Sequence, residues 1–380
     1  MKNKTIYYWS PFLTEIATVK AVINSAYSLR KISEDFEVTI LDAAGEFKKK
    51  TSEILQKKIN LLKLSNIDYI KFLPKHGKIL SRLSFFLIFI CSFFPLKKVI
   101  KNKEPDFIII HLITSLPLII FYFFNLKTKC ILRISGYPKM NLLRLFFWRI
   151  VLKKVYLITC PTKGTYNYLK ELDIVNENKL KVLYDPIINV NEILKEKNKQ
   201  SLKFEKNYAI AIGRFTEQKN FKFLINAFKS VVKEIPNLDL IIVGKGEQKK
   251  LLIKTIRKNQ LEDKVKILEY QKNIFPILKN AKCFILPSLW EDPGFVLLEA
   301  AFMRCLIISS DCQNGPKEIV EDKNAGLMFN SNNLNDFLEK IKEFKNLDNS
   351  DIKKYKLNAL KACRPFTLFT HGKNLKNILQ

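Results

Sequence analysis

A chain of 380 residues is too long for one ordinary core and suits two domains of typical size with a cleft between them. Its 65 Lys and Arg against 36 Asp and Glu leave a formal charge of +29, which calls for an anionic partner: nucleic acid, anionic lipid head groups or a phosphorylated substrate, with genome-wide compositional bias as a further source of the excess. The seven Cys form no C-x-x-C pair and most sit in apolar runs, which points to a reducing cytoplasm and away from a zinc site.

The first residues, MKNKTIYYWSPF, enter a strand-like run without the long apolar core of a signal peptide, so nothing there directs export. Short β-branched or aromatic runs then alternate with helix-length segments: TIYYW (5–9), EVTILDA (37–43), DFIIIH (106–111), CILRIS (130–135), LITCP (157–161) and KVLYDP (181–186). Strands that alternate with helices predict a parallel sheet wound on both faces. Two stretches invite comparison with membrane spans. Leu83–Leu96 counts near 14 residues, below the roughly 18–20 that cross a bilayer, and is expected to be a core or interfacial helix. Residues 107–126 break into strand, loop and helix around His111, Thr114, Ser115 and Pro117.

A polar, Lys-rich segment, VNEILKEKNKQSLKFEKN (190–207), interrupts the apolar rhythm as an interdomain connection would. A second series follows: YAIAIGRF (208–215), LDLIIVGKG (238–246), KVKILEY (264–270), KCFILPS (282–288) and CLIISSD (305–311). The expected organisation is therefore an N-terminal domain over 1–188, a linker over 189–206 and a C-terminal domain over 207–364. A final helix over 365–380 returns to the first domain.

Ligands of open α/β sheets bind beyond the carboxyl ends of the strands, which makes the residues after each run the candidates. After YAIAI comes GRFTEQKN, where Gly213 permits a turn and Arg214 and Lys219 offer two cations, either for a diphosphate or as a solvated basic loop. After LDLIIV, Gly244-Lys245-Gly246 is a G-x-G turn ahead of a helix, without the third glycine and acidic residue of a nicotinamide-binding fingerprint. After KCFIL comes PSLWEDPGFVLLEA, in which a helix begins near Gly294. The free amides of Gly294, Phe295 and Val296 at its start form an anion site. Glu291 and Glu299 are either ligand contacts or, respectively, a complement to the helix dipole and a surface residue.

GRFTEQKN followed about 70 residues later by EDPGFVLLE resembles the paired signature of the retaining family-4 glycosyltransferases of the GT-B fold. The resemblance implies two Rossmann-like, doubly wound parallel-sheet domains facing a central cleft, and a hexosyltransferase-type activity (EC 2.4) in lipopolysaccharide, capsule or lipid-linked oligosaccharide synthesis. Arg214 and Lys219 would then hold the donor diphosphate, Glu299 the ribose, and Glu291 the region of the donor sugar. His111, which ends DFIII, would contact that sugar from the first domain, or else be a satisfied core group. The base would be read by backbone near Asn273 and Ile274, with UDP-sugars the usual donors. The loop SPFLTEIAT lacks the glycines that many relatives carry there, which leaves first-domain contacts to the diphosphate open. Further implications are no cofactor and no metal, a glycan or polyprenyl-linked acceptor, and an anionic membrane surface reached from the cytoplasm. No nucleic-acid motif is present. The alternatives are a non-transferring relative such as a UDP-sugar 2-epimerase, or a basic nucleic-acid-binding protein.

Overall fold

The computed structural model describes residues 3–14, 17–75, 77–138, 140–199 and 207–380. Contacts divide the chain into two units, 1–187 with 368–380, and 188–367. Residues 200–206 of the expected linker, Glu15 and Ile16 of the SPFLTEIAT loop, and Met1 and Lys2 lie outside the described residues.

Among the described residues, the first unit runs β1 (Lys4–Trp9), α1 (Ala17–Ile32), β2 (Phe36–Asp42), α2 (Thr51–Gln56), β3 (Asn60–Lys63), α3 (Lys78–Lys103), β4 (Phe107–Ile110), α4 (Ser115–Phe123), β5 (Lys129–Arg133), α5 (Leu142–Val151), β6 (Leu157–Cys160), α6 (Lys163–Glu171) and β7 (Leu180–Val182). The strands form one parallel sheet in the order β3-β2-β1-β4-β5-β6-β7. Every residue of β4 and β6 is buried, because a parallel sheet covered on both faces has no solvent side. The order reverses direction between β1 and β4, where the loops after these two strands part and leave a crevice.

The second unit runs α7 (Val190–Glu196), β8 (Tyr208–Ile212), α8 (Phe221–Glu234), β9 (Asp239–Val243), α9 (Lys249–Lys258), β10 (Val265–Leu268), α10 (Phe275–Asn280), β11 (Cys283–Leu286), α11 (Phe295–Phe302), β12 (Leu306–Ser310), β13 (Leu327–Phe329), α12 (Leu334–Asn346) and α13 (Asn349–Ala362). Its parallel sheet has the order β10-β9-β8-β11-β12-β13, with the reversal between β8 and β11. α7 occupies residues expected as linker: the Asn189 side chain caps it by accepting from the Glu192 N–H, and Ile193 is buried. The last helix, α14 (Leu368–Leu379), packs against α1 in the first unit. The two helices meet at Gly372, where an added Cβ would stand 2.7 Å from the Ile32 side chain and 2.8 Å from the Ser28 carbonyl.

One expectation is corrected. The apolar run Leu83–Leu96 is the middle of a 26-residue helix, and Ile79–Lys103 is long and apolar enough to cross a bilayer by length and composition. The helix runs through Pro95 and on to Lys103, and Leu96 and Ile100 extend a buried stripe at every fourth residue, Ser84, Ile88, Ser92, Leu96 and Ile100. The stripe packs into the core of the first unit through Ile88, Leu96 and Ile100, while Ile79, Leu83, Phe86, Ile90 and Phe94 stand exposed.

Candidate functional site

The second unit gathers its candidate residues at the reversal of its sheet. Gly213 follows β8, and its N–H donates to the Val243 carbonyl at 3.0 Å, so the chain leaves the sheet beside the end of β9. A side chain at Gly244 would stand 1.9 Å from the Gly213 carbonyl, which is why the G-x-G turn begins with glycine: the two loops touch backbone to backbone. Phe215, fully buried, donates its N–H to the Lys245 carbonyl at 2.8 Å and completes the junction.

The turn Glu217–Lys219 is then stitched to the loop after β11. The Leu289 N–H donates to the Gln218 carbonyl at 2.8 Å, and Gln218 Nε2 donates to the Trp290 carbonyl at 2.8 Å. The stem of Lys219 crosses Gly213 at 3.1 Å from where a Cβ would be, and its ammonium pairs with the Glu291 carboxylate. Both partners are nearly buried, 12% and 5% exposed at the side chain, so each is the main compensation for the other's charge. Ser288 Oγ donates to the same carboxylate oxygen at 2.6 Å, and Ser310 Oγ donates to the Ser288 carbonyl at 2.7 Å. Arg214 is exposed, its guanidinium donating to Gln218 Oε1 at 3.3 Å.

Past Glu291 the chain turns through a cis Asp292-Pro293 bond and Gly294, whose φ of +94° suits glycine, into α11. The amides of Gly294, Phe295 and Val296 open this helix, where N–H groups have no partner within the helix. Glu299 lies one turn on and is buried, 9% exposed. Asn273 serves the local frame: its Nδ2 donates to the Glu196 carbonyl at 2.9 Å, and its Oδ1 accepts from the Phe275 N–H at the start of α10. Ile274 caps that helix.

His111 belongs to the first unit, and its N–H extends the β1–β4 pairing by donating to the Trp9 carbonyl at 2.9 Å. The imidazole is 5% exposed and stacked on Tyr8. Burial, then the Arg133 guanidinium and His371, hold its pKa well below the ordinary imidazole value. Its Nε2 has no hydrogen-bond partner among the described residues. It borders a cavity of about 10 Å³, room for one water at most, shared with buried Arg133 and its partly buried partner Asp185.

A cation pair, a helix N-terminus and the buried carboxylate of Glu291 thus share one loop cluster, with Glu299 one turn along the helix, which suits a diphosphate with a neutral hydroxylated group beside it. Residues 192–360 match the family model described as glycosyl transferases group 1. An uncharacterized glycosyltransferase of Methanocaldococcus jannaschii is 33% identical over 247 residues, 59% of this chain and 60% of the relative. The chain thus spans less than two thirds of that relative's length. The GalNAc-alpha-(1->4)-GalNAc-alpha-(1->3)-diNAcBac-PP-undecaprenol alpha-1,4-N-acetyl-D-galactosaminyltransferase of Campylobacter jejuni is 25% identical over 94% of this chain and 95% of its own. The crystal structure of Anabaena HepE in complex with UDP and glucose aligns over 99% of both chains with a TM-score of 0.73 at 16% identity. The architecture is the GT-B fold.

The group 1 match contains every candidate in the second unit and leaves out His111. Sequence reasoning did not single out Gln218, Ser288 or Ser310, which hold the two motifs together. Their only signal is position, at or within a few residues of the strand ends. Arg133 and Asp185 were also passed over, although an arginine inside the apolar run CILRIS is itself a signal of a buried partner.

Proposed function

We propose that the chain is a hexosyltransferase-type glycosyltransferase of family 4. It moves a sugar from a UDP-sugar to a glycan or polyprenyl-linked acceptor in cell-surface polysaccharide or lipid-linked oligosaccharide synthesis, with retention and without a metal ion. The observation that carries this reading is the junction at the β8–β11 reversal, where Lys219 meets Glu291 beneath the start of α11. The names of relatives support it: the Campylobacter enzyme adds N-acetylgalactosamine to an undecaprenyl-diphosphate-linked glycan, and HepE was crystallised with UDP and glucose.

In this scheme Arg214, Lys219 and the amides of Gly294, Phe295 and Val296 face the diphosphate. As the glycosidic bond breaks, negative charge grows on the departing phosphate, and donors already in place stabilise it with little reorganisation. The departing phosphate accepts the proton of the acceptor hydroxyl, which attacks from the same face. Glu299 holds the ribose, Glu291 sits at the sugar end, and His111 serves the donor sugar as a neutral imidazole. Asn273 and Ile274 mark the loop whose backbone reads the base. The enzyme works from the cytoplasm, peripheral on the inner face of the cell membrane.

Purified protein, incubated with labelled UDP- and GDP-sugars and cognate membrane lipids, should transfer label from a UDP-sugar at the same rate with and without EDTA. Turnover abolished by EDTA and restored by Mg²⁺ would refute the metal-free scheme. A product formed from donor alone would refute transfer.

A further inference from the structure

The first unit carries at its own sheet reversal a site of opposite chemistry. The loops after β1 and β4 contribute Phe12, Leu13, Leu112 and Ile113 to a groove of about 620 Å³. α3 closes it with Phe85, Phe86 and Phe89. The volume is that of a small-molecule site, roughly 300–1,000 Å³, and the position is where open α/β sheets take their ligands. The groove begins one residue beyond His111.

Three observations identify the occupant. The lining is apolar over most of its surface, so it takes hydrocarbon. Lys75, exposed, stands at the rim, and Ser84 Oγ fixes the segment just before it by donating to the Pro74 carbonyl at 2.7 Å. A cation at the mouth of an apolar groove fits a chain with an anionic head. The groove is also continuous with the exposed stripe of α3, Ile79, Leu83, Phe86, Ile90 and Phe94, and Phe86 belongs to both. Arg82, Lys98, Lys101 and Lys103 are exposed along the same helix. A long-chain lipid can therefore pass from a bilayer along α3 into the groove without exposing its chain to water.

We infer that this groove binds the hydrocarbon segment next to the phosphate of a polyprenyl-linked acceptor, with Lys75 on the phosphate. The inference rests on the transferase reading, deepens it by assigning the acceptor lipid to named residues, and predicts chain-length selectivity. A prenyl chain that buries successive methylene-sized groups gains affinity at each one until the groove is full.

Calorimetric titration of the full chain with inorganic pyrophosphate, isopentenyl diphosphate and farnesyl diphosphate tests this, with UDP titrated separately. Farnesyl diphosphate should bind about tenfold or more tighter than isopentenyl diphosphate, and pyrophosphate weakest. Phe85→Ser with Phe86→Ser should remove that preference while melting temperature and UDP affinity stay unchanged. Phe86→Leu should keep it, and Ile90→Ser with Phe94→Ser, on the stripe outside the groove, should leave it intact. Equal affinities for the three diphosphates in the native protein would overturn the proposal. So would equal losses from the groove and stripe variants, or concentration-dependent dimerisation that farnesyl diphosphate fails to compete, which would assign the groove to a second copy of the chain. Absence of UDP binding alongside an intact prenyl preference would instead remove the transferase reading and leave the groove standing as a lipid site.

Discussion

On the proposed reading Lys219 has two tasks that substitution can separate. Its ammonium is the counter-charge of a nearly buried carboxylate, so Lys219→Ala should destabilise the second unit by about 3 kcal/mol through the uncompensated Glu291. Lys219→Ala with Glu291→Gln should recover most of that stability, since a neutral amide no longer needs a cation. Turnover should not recover with it. A charge-assisted contact to the leaving group is worth roughly 1.5–3 kcal/mol, or about ten- to over a hundredfold in rate. Denaturant midpoints and kcat measured on the same preparations decide the matter, and rates that return with stability would make Lys219 purely structural. The two glutamates should also fail differently: Glu299→Ala raises KM for the donor, whereas Glu291→Gln lowers kcat. Equal losses in one parameter would undo that division. The loops that carry these residues were legible because GRFTEQKN and EDPGFVLLE follow apolar runs. Their stitching through Gln218 and Ser288 was not, since one side-chain hydrogen bond leaves no mark on periodicity.

At the scale of elements, strands buried on both faces announce themselves as unbroken apolar runs, and β1, β4, β8, β11 and β12 were all readable that way. The edge strands β3, NLLK, and β13, LMF, were not, being too short to show a pattern. The full length of α3 was hidden because, among its described residues, two of the five buried positions are serines. Nor did the sequence show how α14 is held. Lys4 Nζ donates to the Leu379 carbonyl at its far end, and inside, His371 Nδ1 donates to the Tyr184 carbonyl at 2.6 Å while its Nε2 accepts from Ser25. Tyr8, Arg133, Asp185 and His111 complete the surroundings. Burial, the dominant effect, lowers the His371 pKa from 6.5 to about 4, against the pull of the Tyr184 carbonyl. The unfolded chain therefore takes up the proton first. This contribution to stability is complete above pH 6.5 and falls away as the pH drops towards 4, by about 3 kcal/mol in all. Urea midpoints between pH 7 and 4 should fall more steeply for the native protein than for His371→Gln, and parallel curves would show that the imidazole is not neutral in the fold.

For the whole molecule, the proposed peripheral location gives the charge of +29 and the exposed stripe of α3 the same partner, an anionic membrane. Either signal alone gives weak, reversible membrane attachment, and the two together make it stable. The electrostatic part is worth about 1 kcal/mol per basic residue near an anionic surface and decays within a Debye length, so it weakens with salt. The protein should float with vesicles that contain anionic lipid and remain below neutral ones, and added salt should release part of it. Ile90→Ser with Phe94→Ser should reduce flotation at every salt concentration, because the apolar contribution is not screened. Length no longer argues against a span, since Ile79–Lys103 could cross a bilayer. What argues against it is the stripe Ser84, Ile88, Ser92, Leu96 and Ile100, which would leave the core of the first unit if the helix entered hydrocarbon, taking Ile88, Leu96 and Ile100 out of contacts that bury them to 1% or less. Alkaline carbonate, which strips peripheral proteins and leaves spanning helices in place, should release the chain from native membranes. Protein that stayed in the pellet would mean that α3 abandons its stripe and crosses, and equal flotation with neutral and anionic vesicles would mean that the basic surface serves some other partner.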